Sequence, residues 1–176
     1  DFSFETGFRM SYDEFHPDDS NPSTDNEVII DRKFFSDSLS LSTLYSINKT
    51  VSLGININKT SRVPTIEELY SEGPHLDAYS YEIGNQYLES ENGIGAELFS
   101  YLKTEDIFLM LTLFRNDFSY FITPRNTGKI NSQTLLPIYQ TEGVSAIFYG
   151  FESYFEIKLI EYFALSNSFS YTYGNF

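Results

Sequence analysis

Apolar and polar residues alternate one by one along much of this chain. Phe2, Phe4, Thr6, Phe8, Met10 and Tyr12 interleave with Ser3, Glu5, Gly7, Arg9 and Ser11. Leu39, Leu41, Thr43, Tyr45 and Ile47 interleave with Ser38, Ser40, Ser42, Ser46 and Asn48. Val51, Leu53, Ile55 and Ile57 interleave with Ser52, Gly54, Asn56 and Asn58. A period of two is the signature of a strand with one apolar and one polar face. The pattern returns over Ile94–Lys103, Ile107–Ile122, Ile147–Leu159 and Leu165–Tyr173, which predicts about seven strands in all. The inner and outer faces of the 107–122 strand are not separable by pattern, because Phe108, Met110 and Phe114 interrupt its polar side.

Connections alternate in length. Turns near Asn48-Lys49-Thr50, Thr104-Glu105-Asp106 and Glu161 are short, while 16–31, 63–90 and 123–137 read as long loops. All long loops therefore fall at one end. Strands of about ten residues suit a tilted membrane strand, and short turns on one side with long loops on the other mark an up-and-down transmembrane β-barrel. A soluble β-sandwich alternates too, but nothing gathers its long loops at one end. The expected fold is therefore all-β: an antiparallel up-and-down membrane barrel segment over residues 1–176. The long loop after Ile57 is expected to open with a short helix, where Pro64-Thr65 precedes Glu67-Glu68-Leu69.

Composition removes several alternatives. No run of about 18 apolar residues exists, so no helix of this sequence spans a bilayer. There is no cysteine, hence no disulfide and no thiolate zinc site. The formal charge is −14, which argues against nucleic acid as a partner. The acid has a location: seven carboxylates lie between Asp13 and Asp31, and seven more between Glu67 and Glu91. An even number of strand passages separates these two loops, so they are expected at one rim, forming a negative mouth that draws cations. Both histidines fall there. His16 stands near Asp18 and Asp19, and His75 near Asp77 and Glu82, sets that could hold a divalent metal. Tyr79 and Tyr81 lie in the same loop. The serine face of the second strand and the glutamates Glu97, Glu152 and Glu156 are expected to face a lumen. Paired carboxylates also serve acid–base chemistry, so an outer-membrane hydrolase stays open, but no nucleophile motif such as G-x-S-x-G occurs.

The stretch Arg62-Val63-Pro64, Glu68-Leu69-Tyr70, Gly73-Pro74-His75, Tyr81-Glu82-Ile83-Gly84-Asn85 and Glu91 resembles the barrel domain of TonB-dependent outer-membrane receptors. There an R-x-P element ends a strand, an ELYS-GPH element opens an outer loop, and a FEIGN element leads to the next strand. Tyr81 stands here where Phe is common. The run Ala146–Glu152, with Gly150 and Glu152, is similar to a later strand of that family. The resemblance implies an internal piece of a barrel of about 22 strands, open as it stands. It implies active uptake of a metal chelate, metal ion or similar nutrient across the outer membrane of a Gram-negative bacterium, with no cofactor required. Implied partners are outer-membrane lipid, lipopolysaccharide, the small-molecule or metal ligand, and TonB. The plug domain and TonB box are absent from the sequence, and a diffusion porin is the alternative that leaves open.

Overall fold

The computed structural model describes residues 1–17 and 29–176. Its strands are β1 (Phe2–Phe15), β2 (Arg32–Ser46), β3 (Val51–Arg62), β4 (Glu72–His75), β5 (Ser80–Ile83), β6 (Glu91–Lys103), β7 (Ile107–Ile130), β8 (Pro137–Ile160) and β9 (Phe163–Asn175). A single helix, α1 (Ile66–Tyr70), lies between β3 and β4 among the described residues. The seven long strands pair in sequence order, antiparallel throughout, as one open sheet β1-β2-β3-β6-β7-β8-β9. The seven expected strands are all present. The two further strands, β4 and β5, form a short hairpin inside the 63–90 loop, where a proline and four-residue lengths left no readable alternation.

Register turns the sequence alternation into two continuous faces. One row runs Phe4, Thr43, Ile55, Leu98, Leu113, Phe151, Tyr171 across all seven long strands. The next row, one residue along, runs Glu5, Ser42, Asn56, Glu97, Phe114, Gly150, Thr172. A one-residue slip in any pair would exchange the faces. The polar side is concave: side chains from β1, β2, β3, β6, β7 and β8 surround one open cavity of about 590 Å³, with Glu97 and Glu152 in its wall. Phe108, Met110 and Phe114 share that parity, so the inner wall turns aromatic toward the short turns, with Tyr101 stacked on Phe108 at 6.1 Å. This settles the facing of the 107–122 strand: Leu109, Leu111 and Leu113 point outward.

The convex face carries an apolar band with charged limits. On β7 the outward residues Ile107, Leu109, Leu111 and Leu113 give way to Arg115 and Asp117, paired at 2.8 Å. On β3 the outward run from Val51 to Ile57 ends at Lys59, paired with Asp37 at 2.6 Å. Four alternate residues span about 20 Å, close to the roughly 25 Å apolar height of an outer-membrane barrel. Leu39, Leu53, Ile55 and Leu98 are each half exposed or nearly so on this face, which only a non-aqueous surrounding accounts for in such numbers.

The short turns lie at the opposite end from the long loops. Asn48 Oδ1 accepts from the amides of Thr50 and Val51 at 2.7 and 2.8 Å, an Asx-type closure. The 123–137 segment differs from expectation. It is mostly strand: β7 and β8 run 24 residues each and pair over Thr123–Asn126 and again at Ile130–Pro137, across an irregularity at 127–129, leaving only 131–136 as a tip. Thr123–Ile130 adds about 25 Å of hairpin beyond the rim. Water on both faces of that arm removes the one-sided apolar demand from which alternation arises.

Leu111→Arg is expected to lower folding stability in lipid by about 2–4 kcal/mol in the complete barrel. Thr112→Arg, one residue away on the inner wall, should cost much less. Urea titration of both variants in lipid vesicles measures this, and equal losses would invalidate the facing.

Candidate functional site: a loop seated over the inner face

The loop between β3 and β6 is built outward from Arg62, the last residue of β3. Its guanidinium donates to both oxygens of Glu68, at 2.8 and 3.1 Å, and to Glu91 Oε2 at 3.1 Å. Glu68 is the third residue of α1. Its carboxylate also accepts the Thr65 amide at 2.8 Å, while Thr65 Oγ1 accepts the Glu68 amide at 3.2 Å, completing a capping box. Glu91, whose side chain is only 11% exposed, accepts the Ile122 amide of β7 at 3.1 Å. One three-residue network thus joins the end of β3, the start of α1, the start of β6 and the middle of β7.

Apolar packing reinforces it. Leu69 of α1 and Leu88 are fully buried and cluster with Phe34 of β2 and Ile122 of β7, flanked by Phe15, Val63, Tyr70 and Tyr120. Phe34 shares its face with Ser36, Ser38 and Ser40, and Glu91 shares its face with Glu97. The loop therefore sits on the concave side, over the inner wall at its upper edge. Pro64 is fully buried at the turn out of β3. Gly84 is required by contact: a Cβ there would lie 2.7 Å from the Leu69 carbonyl carbon, and its amide donates to Ser71 O at 2.7 Å. Asn85 follows by donating its amide to Glu68 O at 2.8 Å. Gly150 has an equivalent role in the wall, where a side chain would strike the Tyr171 carbonyl and the Phe114 ring.

The described ends of the first acidic loop, 13–17 and 29–31, lie at the same rim as the second. Tyr70 Oη donates to Ile30 O at 3.0 Å, and burial raises the Tyr70 hydroxyl above its ordinary value. Arg32 donates to Leu88 O at 2.7 Å and to Gln86 O, and its guanidinium lies 4.8 Å from the Phe34 ring centroid. Arg32 and Gln86 escaped sequence reading, because they act through backbone carbonyls that no motif records. The one signal available was a basic pair, Arg32-Lys33, directly after an acidic loop.

The residues singled out as ligand-binding gather on the β4–β5 hairpin. His75 pairs with Ser80 across its mouth, and His75 Nδ1 contacts Glu82 Oε1 at 2.9 Å. Ser80 Oγ donates to the same oxygen at 3.0 Å. Asp77 and Tyr79 stand exposed at the tip, Tyr79 in the left-handed region at φ 51°, a costly conformation for a residue with a side chain. Tyr81 is half-buried, and Gly73-Pro74 occupies the outer edge strand, where a proline costs no ladder bond. On the inner side β5 pairs in parallel with β8, Tyr81 to Ile138 and Ile83 to Gln140. The hairpin is therefore anchored to the arm that rises above the rim.

His16 contacts Asp31 at 2.8 Å and Glu14 at 3.2 Å. Asp18 and Asp19 lie outside the described residues. Among the described residues, no group of three or more histidine or acidic side chains is arranged to hold a metal ion.

The model of the TonB-dependent receptor-like β-barrel family matches residues 1–176, and the chain belongs to that family. Its fold is similar to the siderophore receptor PirA from Pseudomonas aeruginosa, at 22% identity and TM-score 0.63 over 82% of this chain and 30% of that one. The copper transporter OprC matches at 15% identity and TM-score 0.65 over 82% of this chain and 21% of its own length. The ferric enterobactin receptor PfeA from Pseudomonas aeruginosa, solved as a mutant with enterobactin, matches at 25% identity and TM-score 0.54 over 80% and 22%. The chain thus spans less than a third of each of these receptors.

Hydrogen bonding to Glu82 holds the His75 imidazole above its ordinary value of 6.5. A raised value means the His75–Glu82 contact contributes fully below pH 6.5 and is lost as pH rises through the raised value. In a histidine NMR titration of the full-length receptor, His75 should titrate above 6.5 and move back down in Glu82→Gln. An unchanged titration in that variant would remove the pair from solution. Leu88→Ala should loosen the loop by about 2–5 kcal/mol, read as lost amide-exchange protection at Leu69 and Tyr70 while β3 and β6 stay protected.

Proposed function

We propose that residues 1–176 form part of the wall and outer mouth of an outer-membrane receptor that takes up a metal chelate, metal ion or similar nutrient with energy supplied through TonB. The observation that carries this reading is the loop 63–90, held over the concave face by the Arg62 network and the Leu69–Leu88 cluster. A diffusion porin works by an unobstructed mouth. A receptor needs a structured surface above its lumen to hold a ligand before release inward. Membership of a receptor family and likeness to siderophore and copper receptors support the same assignment. The hydrolase alternative gains no support, since both histidines stand at the rim against carboxylates rather than beside the inner-wall glutamates.

In this reading the apolar band meets outer-membrane lipid, and the charged pairs at its upper limit, Lys59–Asp37 and Arg115–Asp117, meet lipopolysaccharide. The ligand surface comprises His75, Asp77, Tyr79, Tyr81 and Glu82. The acidic rim raises the local concentration of cationic or metal-bearing ligands, an effect that weakens with salt.

Cells carrying the full-length receptor as their single uptake route should accumulate radiolabelled ferric siderophore or copper only while TonB is intact. Accumulation that continues without TonB would reassign the chain to a passive porin. Zinc titration of the purified receptor should show weaker binding in His75→Ala and His16→Ala. Unchanged affinity in both would leave the acids as a solubilising rim.

A further inference from the structure

We propose that Arg62 is an electrostatic latch: its charge, rather than the shape of its side chain, keeps the loop 63–90 seated over the inner face. This rests on the receptor reading only for its functional meaning, since the latch itself follows from geometry. Two carboxylates, Glu68 on α1 and Glu91 on β6, converge on one guanidinium. With Arg62 in place the trio carries a net charge of −1, counted from two acids and one base. Without it the same space holds two like charges, one of them nearly buried, and among the described residues no other base contacts either. Uncompensated carboxylates in a desolvated position are strongly unfavourable.

The two partners are not equally free to leave. Glu91 is fixed within β6, paired through Arg62 to β3 and bonded to the Ile122 amide of β7. Glu68 rides on a five-residue helix at the start of a loop. Repulsion is therefore relieved by moving α1 away from the rim, carrying Leu69 out of the Phe34–Ile122–Leu88 cluster. The other charged groups beside Arg62 are Arg9 and Asp13 of β1, which line the same small cavity of about 260 Å³. Arg9 forms no ion pair with Glu68 or Glu91, and Asp13 is itself an acid, so neither replaces the lost charge.

This separates charge from shape. Glutamine at position 62 removes the charge and keeps one donor nitrogen on a side chain two bonds shorter, so it is the rescue by neutral partners that tells charge from shape. Glutamines at 68 and 91 keep the carbonyl oxygens that accept the Thr65 and Ile122 amides, and a capping box tolerates Gln in place of Glu. The fully neutral set therefore retains the hydrogen bonds from the Thr65 and Ile122 amides without like-charge repulsion.

The experiment uses full-length receptor in outer membranes, with a nitroxide spin label at Ile66→Cys on α1, the helix the latch holds, in a chain free of competing thiols. Barrel folding is verified by heat-dependent gel mobility. The latch predicts a restrained label in the parent, a mobile label in Arg62→Gln, and a restrained label again in Arg62→Gln/Glu68→Gln/Glu91→Gln. A restrained label in the single variant with a folded barrel would overturn the proposal. So would a triple variant as mobile as the single one, which would make Arg62 a shape element. Because the readout needs no ligand and no transport, failure here leaves the receptor assignment intact. Failure of TonB-dependent uptake would likewise leave the latch intact.

Discussion

A strand in hydrocarbon has no water to accept its amides, so every backbone donor and acceptor must find a partner on the next strand. The seven long strands of this chain obey that condition through continuous antiparallel ladders. Once the ladders are fixed, the side chains have no further freedom of direction. Odd and even positions are committed to opposite media, and the register of one pair dictates that of all the others. The apolar band, the inner wall and the rim are consequences of this one requirement, with side-chain chemistry choosing which parity meets which medium.

Above the band that requirement ends, and a different economy takes over. Outside the short β4–β5 hairpin, the 63–90 loop is held by side chains that each bond more than one partner. Arg62 ties two carboxylates, Glu68 also caps α1, Glu91 also receives the Ile122 amide, and Tyr70 and Arg32 bond carbonyls across to the neighbouring loop. Shared groups make such a network cooperative. Among the described residues, no fully buried side-chain polar atom is left without a partner, consistent with a surface whose shape is fixed before anything docks on it.

The wall was legible from the residues because one face of each strand meets a uniform apolar medium. Val51-Leu53-Ile55-Ile57 could point only one way. Where the lumen itself becomes aromatic, as at Phe108, Met110 and Phe114, both faces read as apolar and the pattern lost its direction. Where water lies on both sides, as along Thr123–Ile130, there was no pattern to read, although the backbone is paired over Thr123–Asn126 and again at Ile130. In the loop, Arg62, Glu68 and Glu91 stood out as motif residues, but 29 positions separate Arg62 from Glu91. Sequence alone does not bring them together. The partners of Arg32 and the parallel pairing of β5 with β8 depend on backbone groups every residue possesses, which is why nothing in the residue types announced them.

The parallel union of β5 with β8 couples two surface segments about 55 residues apart in the chain into one body. Such segments cannot diverge independently. A replacement of the arm's tip that shifts Ile138–Gln140 by one residue turns the inner edge of the β4–β5 hairpin to the wrong set of amides, and the hairpin loses its seat even though its own sequence is untouched. Transplanting the outer surface of this receptor onto another barrel therefore requires both segments to travel together, as a single exchangeable cassette.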